Sequence, residues 1–157
     1  MKIKLICIGK NMNTVIENGV KQYSKRIENY CQFEIVYLKT PSRYKSSNVT
    51  EIQKNEGAMI QKIIENNDFI ILLDEKGSQY SSKEFAHFLE KKMIGNIKSM
   101  VFVIGGAYGF SESISDLGKH CLSLSKMTFS HQIVRVIFLE QLYRAFTILK
   151  NEPYHNE

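Results

Sequence analysis

Cysteine is scarce in this chain of 157 residues. Cys7, Cys31 and Cys121 are too few and too scattered for a disulfide framework or a paired-cysteine zinc site. Long apolar runs are missing too. The longest, such as Phe69 to Leu73 and Val101 to Ile104, fall far short of the ~20 residues that a membrane span needs. The opening stretch Met1-Lys2-Ile3-Lys4-Leu5 carries no small-residue cleavage site of a secretory signal. The histidines His87, His120, His131 and His155 show no metal-ligand spacing. There is no P-loop signature and no serine in a G-x-S-x-G elbow. Internal repeats, low-complexity tracts and linkers are absent as well. These absences lead us to expect a reduced, cytoplasmic protein, folded as one domain over residues 1–157, without membrane or metal.

What is present is an ordinary globular balance. Hydrophobic residues make up 43% and charged residues 24%, which excludes disorder as the main state. A chain of this size buries roughly 68–70% of the surface it exposes when unfolded, enough for a core without staples. Lysine and arginine exceed acidic residues by 21 to 16, a net charge of +5. That tilts the chain toward a polyanionic partner without establishing one.

Strands and helices alternate along the sequence. Lys2 to Ile8, Phe33 to Leu38, Phe69 to Leu73, Ser99 to Ile104 and Cys121 to Ser125 read as strands. Ile16, Val20, Tyr23, Ile27 and Tyr30 recur at helical spacing. Thr50 with Gln53, and Ser81 with Glu84, have capping-box spacing and open two further helices. A short helix covers Glu112 to Leu117. Ser130 caps a long one from His131 to Lys150, which Pro153 stops. The pattern predicts an α/β fold with a mainly parallel sheet of about five strands and helices on both faces. From Ile133 to Leu149, twelve of seventeen residues are apolar or aromatic and lie nearly all round the helix. That predicts cover on more than one side, by a second subunit or by the rest of one chain. Glu140 and Arg144 have the spacing of a surface pair.

Ligands of open α/β sheets bind beyond the carboxyl ends of strands. Three such ends are unusual here: Leu73 to Ser78, Gly105 to Phe110, and Ser123 to Ser130. Paired glycines let a ligand approach the backbone. Small hydroxyls beside Met127 and Phe129 suit a flat base and a ribose. The plainer alternative makes Gly105-Gly106 a turn and places Met127 and Phe129 in the core. The spacing Gly105-Gly106-x-x-Gly109 fits a dinucleotide fingerprint poorly. Beyond Pro153, Tyr154 and His155 either fray as a tail or fold over a pocket, their own or a partner's.

The block Leu122-Ser123-Leu124-Ser125-Lys126-Met127-Thr128-Phe129-Ser130-His131-Gln132-Ile133-Val134-Arg135-Val136, with Glu140-Gln141-Leu142-Tyr143-Arg144-Ala145-Phe146 and the ending Pro153-Tyr154-His155, resembles the ribosomal RNA large subunit methyltransferase H family. Leu73-Asp74 with Gly77, and Phe102-Val103-Ile104-Gly105-Gly106, match in order and spacing, so the resemblance spans the chain. It departs at Ser130, where the family usually has proline. The resemblance implies a SPOUT fold with a C-terminal trefoil knot, and a homodimer through the C-terminal helix. It implies methylation of N3 of a pseudouridine in the helix 69 loop of 23S rRNA in the ribosome, with S-adenosylmethionine as donor. The implied donor site is Leu73, Gly105, Leu124, Ser125, Lys126, Met127, Thr128 and Phe129.

The donor carries the reactive methyl, so the protein must align the nucleophile and help remove its proton. The catalytic candidates are His131, Arg135, Arg144, Tyr154 and His155, with no one of them selected as base. RNA contact is expected from Arg43, Lys45 and the tail. Two other classes compete: a non-catalytic RNA-binding protein of ribosome assembly, and a nucleotide-binding α/β enzyme acting on a small molecule.

Overall fold

A computed structural model describes residues 1–41 and 48–155. Arg43 and Lys45 lie outside the described residues. The elements follow in the order β1 (Lys2–Ile8), α1 (Thr14–Ile27), β2 (Gln32–Leu38), α2 (Val49–Gln61), β3 (Asp68–Gln79), α3 (Ser82–Ile94), β4 (Ser99–Ile104), α4 (Glu112–Leu117), β5 (His120–Ser123) and α5 (Ile133–Leu149). The strands form one sheet in the order β2-β1-β4-β3-β5. Every neighbouring pair is parallel, so the expected α/β sheet with helices on both faces is what forms.

Alternation along β1 divides the core. Ile3, Leu5 and Cys7 face α1, α3 and α5, while Ile6 and Ile8 face α2 and α4. Strands β3 and β4 are apolar at consecutive positions because both their faces are covered. Helix α5 lies against α1 and α3 on the first face, so much of its all-round apolar surface is met within one chain.

Several boundaries differ from the sequence reading, each for a local reason. Asn48, not Thr50, caps α2, its side chain accepting from the Glu51 amide at 2.9 Å. Gln53 is thereby freed for another contact. The box of Ser81 and Glu84 forms as expected. Tyr30 falls beyond α1 and stacks on Phe146 with ring centroids 5.3 Å apart. Strand β5 stops at Ser123, where the chain turns into the loop that leads to α5.

Helix α5 begins at Ile133, two residues later than expected. The Ser130 carbonyl and hydroxyl accept from the amides of Val134 (3.1 Å) and Ile133 (3.4 Å). At its far end the helix is stopped before Pro153 by Asn151, which sits in the left-handed region at φ 55°. The Glu152 amide then reaches the Thr147 carbonyl (2.9 Å) and the Asn151 amide that of Ile148 (3.1 Å), a Schellman turn.

Strand β3 runs past Leu73 in two parts. Leu73 and Ser78 both lie opposite Leu122, so Asp74 to Gly77 form an excursion between them. Gly77 is required at its close: a Cβ there would meet the backbone of Cys121 and Leu122 at 2.6–2.7 Å.

Candidate functional site

The carboxyl ends of β3, β4 and β5 enclose a cavity of about 650 Å³. Its walls come from the three unusual segments. Leu73 to Lys76 come from β3 where it enters its excursion, Gly105 to Phe110 follow β4, and Leu124, Ser125, Met127, Thr128, Phe129 and His131 follow β5. Each loop is shaped by its own hydrogen bonds. Asp74 Oδ1 accepts from the Lys76 amide at 2.9 Å. The Gly109 amide donates to the Gly106 carbonyl at 3.1 Å. Ser125 Oγ accepts from the Met127 amide, and Ser123 Oγ donates to the Ser125 carbonyl, both at 2.9 Å. The β3 and β5 loops are tied together by Thr128, whose hydroxyl donates to Glu75 Oε2 at 2.7 Å.

Met127 is 75% exposed, so it is not a core residue. With Tyr108, 51% exposed, it gives the cavity rim an apolar surface open to a ligand. A space of this size, with glycine backbone on one side and Met127 and Phe129 on the other, fits a nucleoside-sized ligand. Asp74 and Glu75 add negative charge for a cationic one. These residues fit S-adenosylmethionine in size and sign. Of the eight expected donor-site residues, Lys126 alone does not line the cavity; it is exposed.

The five catalytic candidates fall in three places. His131 lines the cavity. Desolvation, then the charge of Arg135, lower its pKa, so its imidazole is neutral at neutral pH. Arg135 is 2% exposed and outside the cavity walls. Its Nη2 donates to the carbonyls of Ile8 (3.0 Å) and Gly9 (2.9 Å), and its guanidinium lies 5.5 Å from the centre of the Tyr37 ring.

Arg144, Tyr154 and His155 gather at the far end of α5. Arg144 Nε donates to Glu140 Oε1 at 3.0 Å, so the expected pair forms, half-buried rather than on the open surface. Arg144 Nη1 lies 3.4 Å from His155 Nδ1. Tyr154 donates to Glu140 Oε1 at 3.2 Å, and its hydroxyl lies 3.4 Å from that of Tyr23. Burial, then the Tyr23 hydrogen bond and the Glu140 charge, raise the Tyr154 pKa, so this phenol keeps its proton. Tyr30 donates to Glu152 and holds the tail from the other side. Residues 151–155 therefore do not fray. At 1.5 Å per residue, Ile133 and Arg144 stand roughly 16 Å apart along the helix, so in one chain this cluster is remote from the cavity.

Sequence reasoning missed Gln53 and Glu56 of α2, which contact the β4 loop from the opposite sheet face. A signal existed. Ile52, Glu56 and Ile60 are spaced four apart, which puts a carboxyl on the apolar stripe.

The knit of a parallel α/β sheet with a nucleoside-sized cavity at three adjacent strand ends marks a nucleotide-type binding fold. Residues 1–155 match the family described as predicted SPOUT methyltransferase, and the chain belongs to that family. Its relatives include the ribosomal RNA large subunit methyltransferases H of Christiangramia forsetii, 49% identical over 99% of both chains, and of Parabacteroides distasonis, 45% identical over 100% of both. That of Flavobacterium psychrophilum is 46% identical, again over 100% of both chains. Among the described residues no group of His, Cys, Asp and Glu could hold a metal ion, and no helix is long and apolar enough to cross a membrane.

Proposed function

We propose that the chain transfers a methyl group from S-adenosylmethionine to N3 of a pseudouridine in the helix 69 loop of 23S rRNA, acting on the ribosome as a cytoplasmic homodimer. The reading includes a trefoil knot in the C-terminal part of the chain. One observation carries it. The strand ends singled out for their residue chemistry line one cavity, and the family resemblance assigns the donor to the same residues. The names of the relatives add large-subunit rRNA as the substrate class.

When bound, the donor supplies an electrophilic sulfonium methyl. In this reading Leu73, Gly105 and the loop from Leu124 to Phe129 hold it, with Asp74 and Glu75 answering its positive charge. In this reading His131, on the cavity wall and with its neutral form favoured by burial, accepts the proton. Arg144 offers a cation for the imide anion that forms as N3 loses its proton. Tyr154 is a hydrogen-bond donor in this scheme and not a base. The tail cluster and the cavity are remote within one chain, so we place the tail of one copy across the cavity of the other.

The test is transfer of labelled methyl from S-adenosylmethionine to ribosomes lacking the modification, with the product mapped by mass spectrometry. Label at a pseudouridine N3 of 23S rRNA is the expected result. Label elsewhere would replace the substrate, and binding without label would point to an assembly factor.

A further inference from the structure

The cavity loop after β4 is held from a side that the strand ends do not supply. Gln53, on α2, donates from Nε2 to the Tyr108 carbonyl at 2.6 Å and reaches that of Phe110 at 3.4 Å. One turn on, Glu56 is only 7% exposed. Its Oε1 accepts from the Thr40 hydroxyl at 3.1 Å, while Oε2 is buried with no hydrogen-bond partner among the described residues. A Cβ built on Gly106 would lie 2.2 Å from that oxygen and 2.8 Å from the other two carboxyl atoms. The carboxyl thus fills the volume that any side chain at position 106 would need. A leucine or methionine would fill an apolar stripe without the penalty of a buried, half-satisfied acid. Its place against the cavity loop gives the acid another purpose.

We infer that Gln53 and Glu56 are positioning residues, a clamp from α2 that sets the backbone of the Gly105–Phe110 loop before a ligand arrives. The ligand that the clamp serves rests on the reading of the cavity as the donor site; the clamp itself rests on the contacts above. A preset loop spares the ligand the cost of ordering it.

A double-mutant cycle on the full chain tests this, with affinity for S-adenosylhomocysteine measured by calorimetry. Gly106→Ala alone drives a methyl into the carboxyl and should weaken binding by roughly tenfold or more. Glu56→Ala alone removes the clamp and should itself weaken binding by roughly tenfold, and Gly106→Ala should add no more than about threefold in that background. Losses that simply add in the double variant would mean that the methyl blocks the ligand directly, and would overturn the clamp. Amide exchange in the ligand-free protein is the second arm. Glu56→Ala should speed exchange across the loop by roughly tenfold while β1 is unchanged, and Glu56→Gln, which keeps the shape, should restore protection. Unchanged exchange in Glu56→Ala would also overturn the clamp. If the parent fails to bind S-adenosylhomocysteine, the donor reading falls, and the exchange arm still decides the clamp.

Discussion

Burial favours the neutral form of both Glu56 and His131, raising the pKa of the acid and lowering that of the base. It raises the Glu56 pKa, and the Thr40 hydrogen bond offsets this only in part. Well below the ordinary carboxylate range the acid is neutral in both folded and unfolded chains, and burial costs no ionisation penalty. As pH rises the unfolded chain ionises first, so stability falls until the folded carboxyl ionises too. Glu56→Gln should therefore melt above the parent at about pH 7, with the gap closing toward about pH 4. Thermal melts of both proteins across that range check this; a gap that widens in acid would contradict the assignment. His155 calls for a kinetic test. If the tail serves the reaction, His155→Ala should slow methyl transfer by roughly 10²-fold, the lower range for a general acid–base group, before it weakens donor binding. Rapid-quench kinetics beside donor affinity separate the two, and equal losses in both would remove His155 from the reaction. The strand-end residues were legible because glycine pairs and small hydroxyls after apolar runs are local signals. Arg135 was not placed by sequence, because its partners are the carbonyls of Ile8 and Gly9, far away in the chain.

Among elements, periodicity, apolar runs and capping spacing located the helices and strands of the described residues, while side chains at their ends decided the boundaries. Asn48 outcompetes Thr50 as a cap because its amide reaches the Glu51 backbone from one residue before the helix. The excursion of β3 from Asp74 to Gly77 was out of reach, since it follows from what β5 presents beside it. The end of α5 offers a direct test. Asn tolerates the left-handed backbone that a β-branched residue resists. Asn151→Val should cost about 1–2 kcal/mol, a fall in melting temperature of roughly 2–8 °C for a chain of this size. Asn151→Gly should be tolerated. Calorimetric melts distinguish this from a helix stopped by Pro153, in which neither change would matter.

For the whole molecule, net charge and assembly are the open quantities. The net charge of +5 suits a ribosomal partner. Ribosome binding should weaken steeply between about 50 and 200 mM salt if phosphates are contacted, and a flat response in filter binding would exclude a large phosphate share. Sedimentation equilibrium should return twice the chain mass. The sequence left the cover of the all-round apolar α5 to a second subunit or to the rest of one chain; α1 and α3 supply much of it, so the proposed dimer rests on the family resemblance and the remote tail cluster.

The strand order bears on how the chain is made. Lys2 of β1 lies opposite Ser99 of β4, and β1 is flanked by β2 and β4 in the sheet. When β1 and β2 have left the ribosome, one edge of β1 still lacks its partner, and the face that α5 covers stays bare until the last helix is synthesised. Pairings so distant in sequence form slowly, because a long loop must close first. The nascent chain should therefore carry exposed apolar surface until α5 has emerged. Such surface is aggregation-prone, so the order of the strands leaves the growing chain open to misassembly until α5 covers it.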